Sequence, residues 1–171
     1  MISINTKNST ELELRIKDIL EKVLKDYSIV PVFTKEIIID ENSAPHSRPV
    51  LTLGTANIDP LIILKKFVHE QFHWFADTNT SYEECLEYLK KYNDLGDCNK
   101  SGEYPNSFWE HIIVCWNTRN FLKKVLSFED LKYVYSSWQA YPLTEKFVED
   151  NFDLLKLDLE KFNMVYNFNF S

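Results

Sequence analysis

The chain has 171 residues, of which 44% are hydrophobic and 15% aromatic, and its formal net charge is -7. That length fits a single domain over residues 1–171 with a sizeable core, and a content of three glycines and six prolines argues against a disordered or low-complexity chain. The acidic balance disfavours nucleic acid and anionic membrane surfaces as partners, because phosphate contacts need clustered Lys and Arg.

The cysteines, Cys85, Cys98 and Cys115, form no C-x-x-C and do not suggest a disulfide framework, so a reduced, cytoplasmic setting is expected. The N-terminal stretch MISINTKNSTELELRIKD is polar and lacks the apolar core of a signal peptide. The longest apolar run, DPLIILKKFV, is too short to span a bilayer.

In chain order, NSTELELRIKDILEKVLKDY opens with Ser9 or Thr10 as a helix cap and repeats apolar residues at helical spacing. SIVPVFTKEIIID is β-branched and predicts one strand, bent at Pro31. ENSAPHSR is a loop, and PVLTLGT predicts a second strand with Val50, Thr52 and Gly54 on one face. Asp59 as N-cap and Pro60 at the first position start a helix that runs to about Asp77 and is apolar nearly all round, which predicts a buried central helix. Ser81 with Glu84 has the capping-box pattern of a shorter helix. GDCNKSGEYPN reads as an extended loop, and SFWEHIIVCWNTRNFLKKVL as a second long buried helix. Ser127 caps another helix, and LTEKFVEDNFDLLKLDLEKF continues as helix. In the tail KFNMVYNFNF, apolar residues at even positions alternate with asparagines, which predicts a terminal strand. The fold class expected is α+β, mainly helical, with a small sheet packed on the helix of residues 60–77.

That helix carries His69, Glu70 and His73, an H-E-x-x-H pattern. Residues four apart share one helical face, so both imidazoles can bind one Zn²⁺. Glu70 sits beside the metal without ligating it and can take a proton from the zinc-bound water. The rival reading is a pair of histidines hydrogen-bonded inside a core helix. Burying two imidazoles and a carboxylate together in an apolar helix is costly without a shared purpose, which favours the metal. A catalytic zinc takes three protein ligands and a water. A further histidine six residues after His73 is ruled out, since Asn79 stands there. His111 or its neighbour Glu110 supplies the third ligand, with Glu83, Glu84 and Glu87 as weaker alternatives; 110 and 111 point about 100° apart on a helix, so only one faces the metal.

The residues His46, Pro49, Val50, Leu51, Thr52 and Leu53, then His69, Glu70, Gln71, His73 and Trp74, then His111, Val114 and Cys115 form a series that resembles a set of zincin-like bacterial and fungal proteins of unassigned activity. The resemblance covers roughly residues 44 to 148. It implies a zincin-like fold and a His69/His73/His111 zinc site, and it adds to the preference for His111. The chain departs from it at Asn117 and Thr118, where carboxylate-rich sequence is expected.

The expected function is a zinc-dependent hydrolase, a peptidase or amidase acting on a peptide or small amide. Glu70 is the catalytic base and Tyr141 a candidate to stabilise the oxyanion. PVLTLGT, with Thr52, can pair with an extended substrate, and His46 just before it is a candidate substrate contact. The plainer alternatives are an ordinary sheet strand, an exposed loop histidine, one structural tyrosine among nine, an interhelical salt bridge for Arg119 and a buried thiol for Cys115. The rival function is a non-catalytic binding or interaction module with a structural metal; a small-molecule hydrolase or isomerase is a third reading.

Overall fold

The computed structural model describes residues 2–27, 30, 32–95 and 105–168. Of the loop expected at 96–106, residues 96–104, with Gly96, Cys98 and Gly102, lie outside the described residues, as do the bend at Pro31 and residues 169–170 of the expected terminal strand, while Pro105 and Asn106 belong to a helix instead.

The described chain is mixed α+β and mainly helical. β1 (Ser3–Thr6), β2 (Glu36–Ile39) and β3 (Leu51–Leu53) form a three-stranded sheet in the order β1-β2-β3, parallel throughout. Between β1 and β2 runs α1 (Glu11–Asp26), so the first third of the chain is a βαβ unit. β1 was not expected: of its residues only Ile4 is buried, and a single apolar residue leaves no alternation to detect. β2 is shorter than the predicted strand, and β3 is buried at all three residues, so both of its faces are covered.

α2 (Pro60–Asp77) has the bounds expected of it. The Asp59 carboxylate accepts from the Leu61 and Ile62 N–H groups, and Pro60 occupies the first turn, where its missing N–H costs nothing. Ile63, Leu64, Phe67, Val68 and Phe72 pack with Ile37, Ile39, Leu51 and Leu53 of the sheet and Ile16 and Leu20 of α1. The small sheet therefore lies on the helix that carries the histidines. A second apolar cluster joins α3 (Tyr82–Leu89), α4 (Pro105–Val125), α6 (Pro142–Asp150) and α7 (Phe152–Glu160). Between the clusters α2 packs along α4, and α5 (Phe128–Ser137) joins α4 to α6.

Of the two residues expected to cap α1, Thr10 does so, accepting from the Glu13 N–H. Other local expectations are corrected. Ser81 precedes α3 without a side-chain cap bond; its own N–H donates to Asn79 Oδ1 at 2.9 Å. The helix expected from residue 143 to 162 is two helices, broken at Asn151, whose Nδ2 and N–H both donate to the Phe147 carbonyl. The tail is not a strand at residues 161–168. Its backbone is held by Asn117, fully buried on α4, which donates to the Met164 carbonyl and accepts from the Tyr166 N–H, each at 2.8 Å. Tyr166 and Phe168 then pack against Phe33 and Phe72. The period of two arises from side chains inserted into an aromatic cluster, without strand pairing.

Among the described residues no helix is long and apolar enough to cross a membrane. Cys85 and Cys115 are buried free thiols.

Candidate metal centre

His69 and His73 lie one turn apart on α2, and His111 faces them from α4. All three are buried, and one ring nitrogen from each falls within 4.8 Å of the others. Their ring centroids are 5.1 Å apart for His69 and His73, 5.6 Å for His69 and His111 and 4.9 Å for His73 and His111. Three buried histidines are thus close enough to hold a metal ion.

The electrostatics fit a cation. Burial, then the neighbouring His73, His111 and Lys65, pushes the His69 pKa well below its ordinary value, which leaves a neutral imidazole with a lone pair. His73 Nδ1 lies 2.7 Å from Glu110 Oε1. Burial alone would raise the Glu110 carboxyl, but this hydrogen bond and the nearby His73, His111 and Arg48 outweigh it and hold it below its ordinary value. An ionised Glu110 accepts, so His73 donates from Nδ1 and presents its Nε2 lone pair to the centre. His111 and Glu110 are not alternatives. One supplies an imidazole to the cluster; the other orients His73.

Glu70 is buried beside the centre, and burial pushes its carboxyl up to about 7, with Glu110 adding to the rise and His73 opposing it. A carboxyl poised there can exchange a proton near neutral pH.

Tyr141 begins α6 and brings its ring against the histidines, with centroid separations of 3.6 Å to His111 and 5.7 Å to His69. His46 and Thr52 are not brought to this cluster. They pair with each other: His46 N–H donates to the Thr52 carbonyl at 3.0 Å, and Thr52 N–H to the His46 carbonyl at 2.8 Å. The groups of Thr52 that face away from β2 are therefore taken, and β3 has no free edge there for a substrate strand. The exposed His46 ring instead stays with its own loop, Nδ1 lying 3.0 Å from the Ala44 carbonyl oxygen. Glu83, Glu84 and Glu87 lie outside the histidine cluster. Arg119 pairs with Glu149 at 2.5 Å and lines a separate cleft of about 460 Å³ with Phe128, Leu131 and Tyr135.

Two residues of the motif segment have roles that spacing alone did not disclose. Gln71, fully buried, accepts from the Phe33 and Thr34 N–H groups and donates to the Thr34 carbonyl. Trp74 donates from Nε1 to the Ser47 carbonyl at 2.9 Å. Both fasten the segments beside β2 and β3 to α2. Their signal was a buried amide and an indole on an apolar helix, each of which needs a polar partner.

No family model matches the chain, and no curated protein or solved structure matches it.

Proposed function

We propose that the protein is a zinc-dependent hydrolase of the zincin type, acting on a peptide or small amide. The observation that carries this reading is the cluster of three buried histidines, with the buried Glu70 directly after His69 on the same helix. His69, His73 and His111 would hold the ion, three imidazoles being a common donor set for catalytic zinc. A bound zinc supplies Lewis acidity toward a carbonyl oxygen and toward water. Glu70 takes the proton from the attacking water and returns it to the leaving amine. Glu110 keeps the His73 ring in one tautomer and orientation throughout. Tyr141 is the candidate donor to the developing oxyanion, by virtue of its place against His111.

One observation favours a second reading, a non-catalytic module with a structural metal: the Tyr141 ring covers the centre from the α6 side. Metal analysis by mass spectrometry of protein purified without added metal, for wild type and His111→Ala in parallel, tests the centre. About one zinc per chain, lost in the variant, is the expected result; no metal in either protein after zinc is offered would sink the hydrolase reading. Peptide and amide screening against Glu70→Gln then separates catalysis from a structural site.

A further inference from the structure

Lys66 stands on the face of α2 that carries the centre. It precedes His69 by three residues, Glu70 by four and His73 by seven, so it lies one turn before His69 and Glu70, between them in angle, and two turns before His73. Only 3% of its surface is exposed. The adjacent Lys65, also buried, has its charge matched: Nζ donates to Glu145 Oε2 at 2.9 Å and to the Trp138 carbonyl at 2.7 Å. Lys66 has no such match among the described residues. Its contact is the Trp138 ring, whose centroid lies 5.4 Å from Nζ, and among the described residues no carboxylate pairs with it. An ammonium buried without an anion is costly to the fold. Burial accordingly lowers its pKa.

The same connection that covers Lys66 also covers the metal centre. Trp138 ends α5, and three residues later Tyr141 lies against His111 and His69. Trp138 and Tyr141 thus form one wall, facing Lys66 and the histidines in turn. A molecule reacting at Glu70 and lying along this wall would bring its flanking group to Lys66.

We propose that Lys66 is the anion-recognising residue of this centre, and that the substrate carries a carboxylate close to the bond that is cleaved. One helical turn rises about 5.4 Å and one extended residue spans about 3.5 Å, which puts the carboxylate one or two residues from that bond. The inference rests on the hydrolase reading above. A chain-terminal carboxylate and an acidic side chain share this chemistry.

The test uses the full chain loaded with zinc and two hydroxamates of matched length, succinic acid monohydroxamate and butanohydroxamic acid, titrated by calorimetry. Wild type should bind the carboxylate-bearing probe about tenfold more tightly, the order expected of one charge-assisted hydrogen bond. Lys66→Met should abolish that preference while keeping zinc stoichiometry and affinity for butanohydroxamic acid, and Lys66→Arg should retain it. Equal binding of both probes by wild type, a preference that survives in Lys66→Met, or binding of neither probe by zinc-loaded protein would overturn the proposal. Failure of the hydrolase reading shows differently, as no uptake of zinc in the loading step or as zinc taken up with no Glu70-dependent hydrolysis in the peptide and amide screen, and the proposal falls with it. Peptide hydroxamates ending in a free carboxylate, or in an amide beside an aspartate, then tell the two sources apart; preference for either supports the proposal, and preference for neither counts against it.

Discussion

Glu110 Oε1 meets Nδ1 of His73 at 2.7 Å, from the residue directly before His111. Two neighbours on α4 thus serve the same centre, one by facing it and one by fixing a histidine of α2. Replacing Glu110 with Ala should weaken metal binding by roughly 10–100-fold without changing its stoichiometry. Competition with a chromophoric chelator measures this, and an unchanged affinity would show that the His73 ring needs no partner to hold its position.

Metal removal should destabilise the fold, because the three histidines join α2 to α4 at the junction of the two apolar clusters. A ligand at one hundred times its Kd adds about 2.7 kcal/mol. For a chain of this size that corresponds to a Tm rise of roughly 5–10 °C. Calorimetric scans of chelated and zinc-reloaded protein read it directly. The rise should vanish in His69→Ala, so a rise that persists there would place the stabilising ion elsewhere.

Lys65 and Glu145 form an ion pair with 1% and 3% side-chain exposure. Burial lowers the Lys65 pKa and raises that of Glu145 against the mutual attraction of the two charges. Removing Lys65 alone, as Lys65→Met, should cost about 3–5 kcal/mol, because a carboxylate is left buried without its partner. The double variant Lys65→Met with Glu145→Leu should recover most of that loss. Urea denaturation of the two variants decides the matter; a double variant no more stable than the single one would mean that the pair is worth more than its desolvation.

Acid should weaken the contact between α7 and the α3 region. Burial alone would raise the Asp158 carboxyl, but hydrogen bonds from Lys161, Lys91, Tyr92 and Tyr88 outweigh it and hold it well below the usual carboxylate range. A folded pKa below the unfolded value of about 3.9 stabilises the fold fully above that pH, and the contribution is lost as pH falls through the folded pKa. Asp158→Asn should therefore be less stable than wild type near pH 7, with the gap closing below about pH 4. Urea midpoints for both proteins at a series of pH values test this, and a gap independent of pH would assign the effect to packing.

The centre was more legible than the fold around it. The four-residue spacing of His69 and His73 carries its geometry within the helix, and Asp59 and Pro60 mark where that helix begins. His111 could be named because few histidines compete with it. Its relation to Glu110 could not, because helical geometry alone makes adjacent residues diverge and says nothing of how far a glutamate reaches around the helix. β1 escaped because a four-residue parallel strand with one buried side chain leaves no pattern. The tail misled because alternation is also what inserted aromatic side chains produce, and the buried amide of Asn117 that fixes them lies far away in sequence. The break at Asn151 is a local hydrogen-bond choice within an otherwise helical pattern.

The mutual pairing of His46 and Thr52 has a bearing on the life of the protein among its own copies. A three-residue strand at the margin of a parallel sheet is a template on which a second chain can register, and such margins seed aggregation. Here the segment leading into β3 doubles back and takes the outward backbone groups of Thr52 for itself. Gly54 lets that segment come close, since a side-chain carbon there would stand 2.1 Å from the Ser43 carbonyl oxygen. The chain thus carries its own guard against recruitment at β3, and loosening the segment would turn a closed margin into a sticky one.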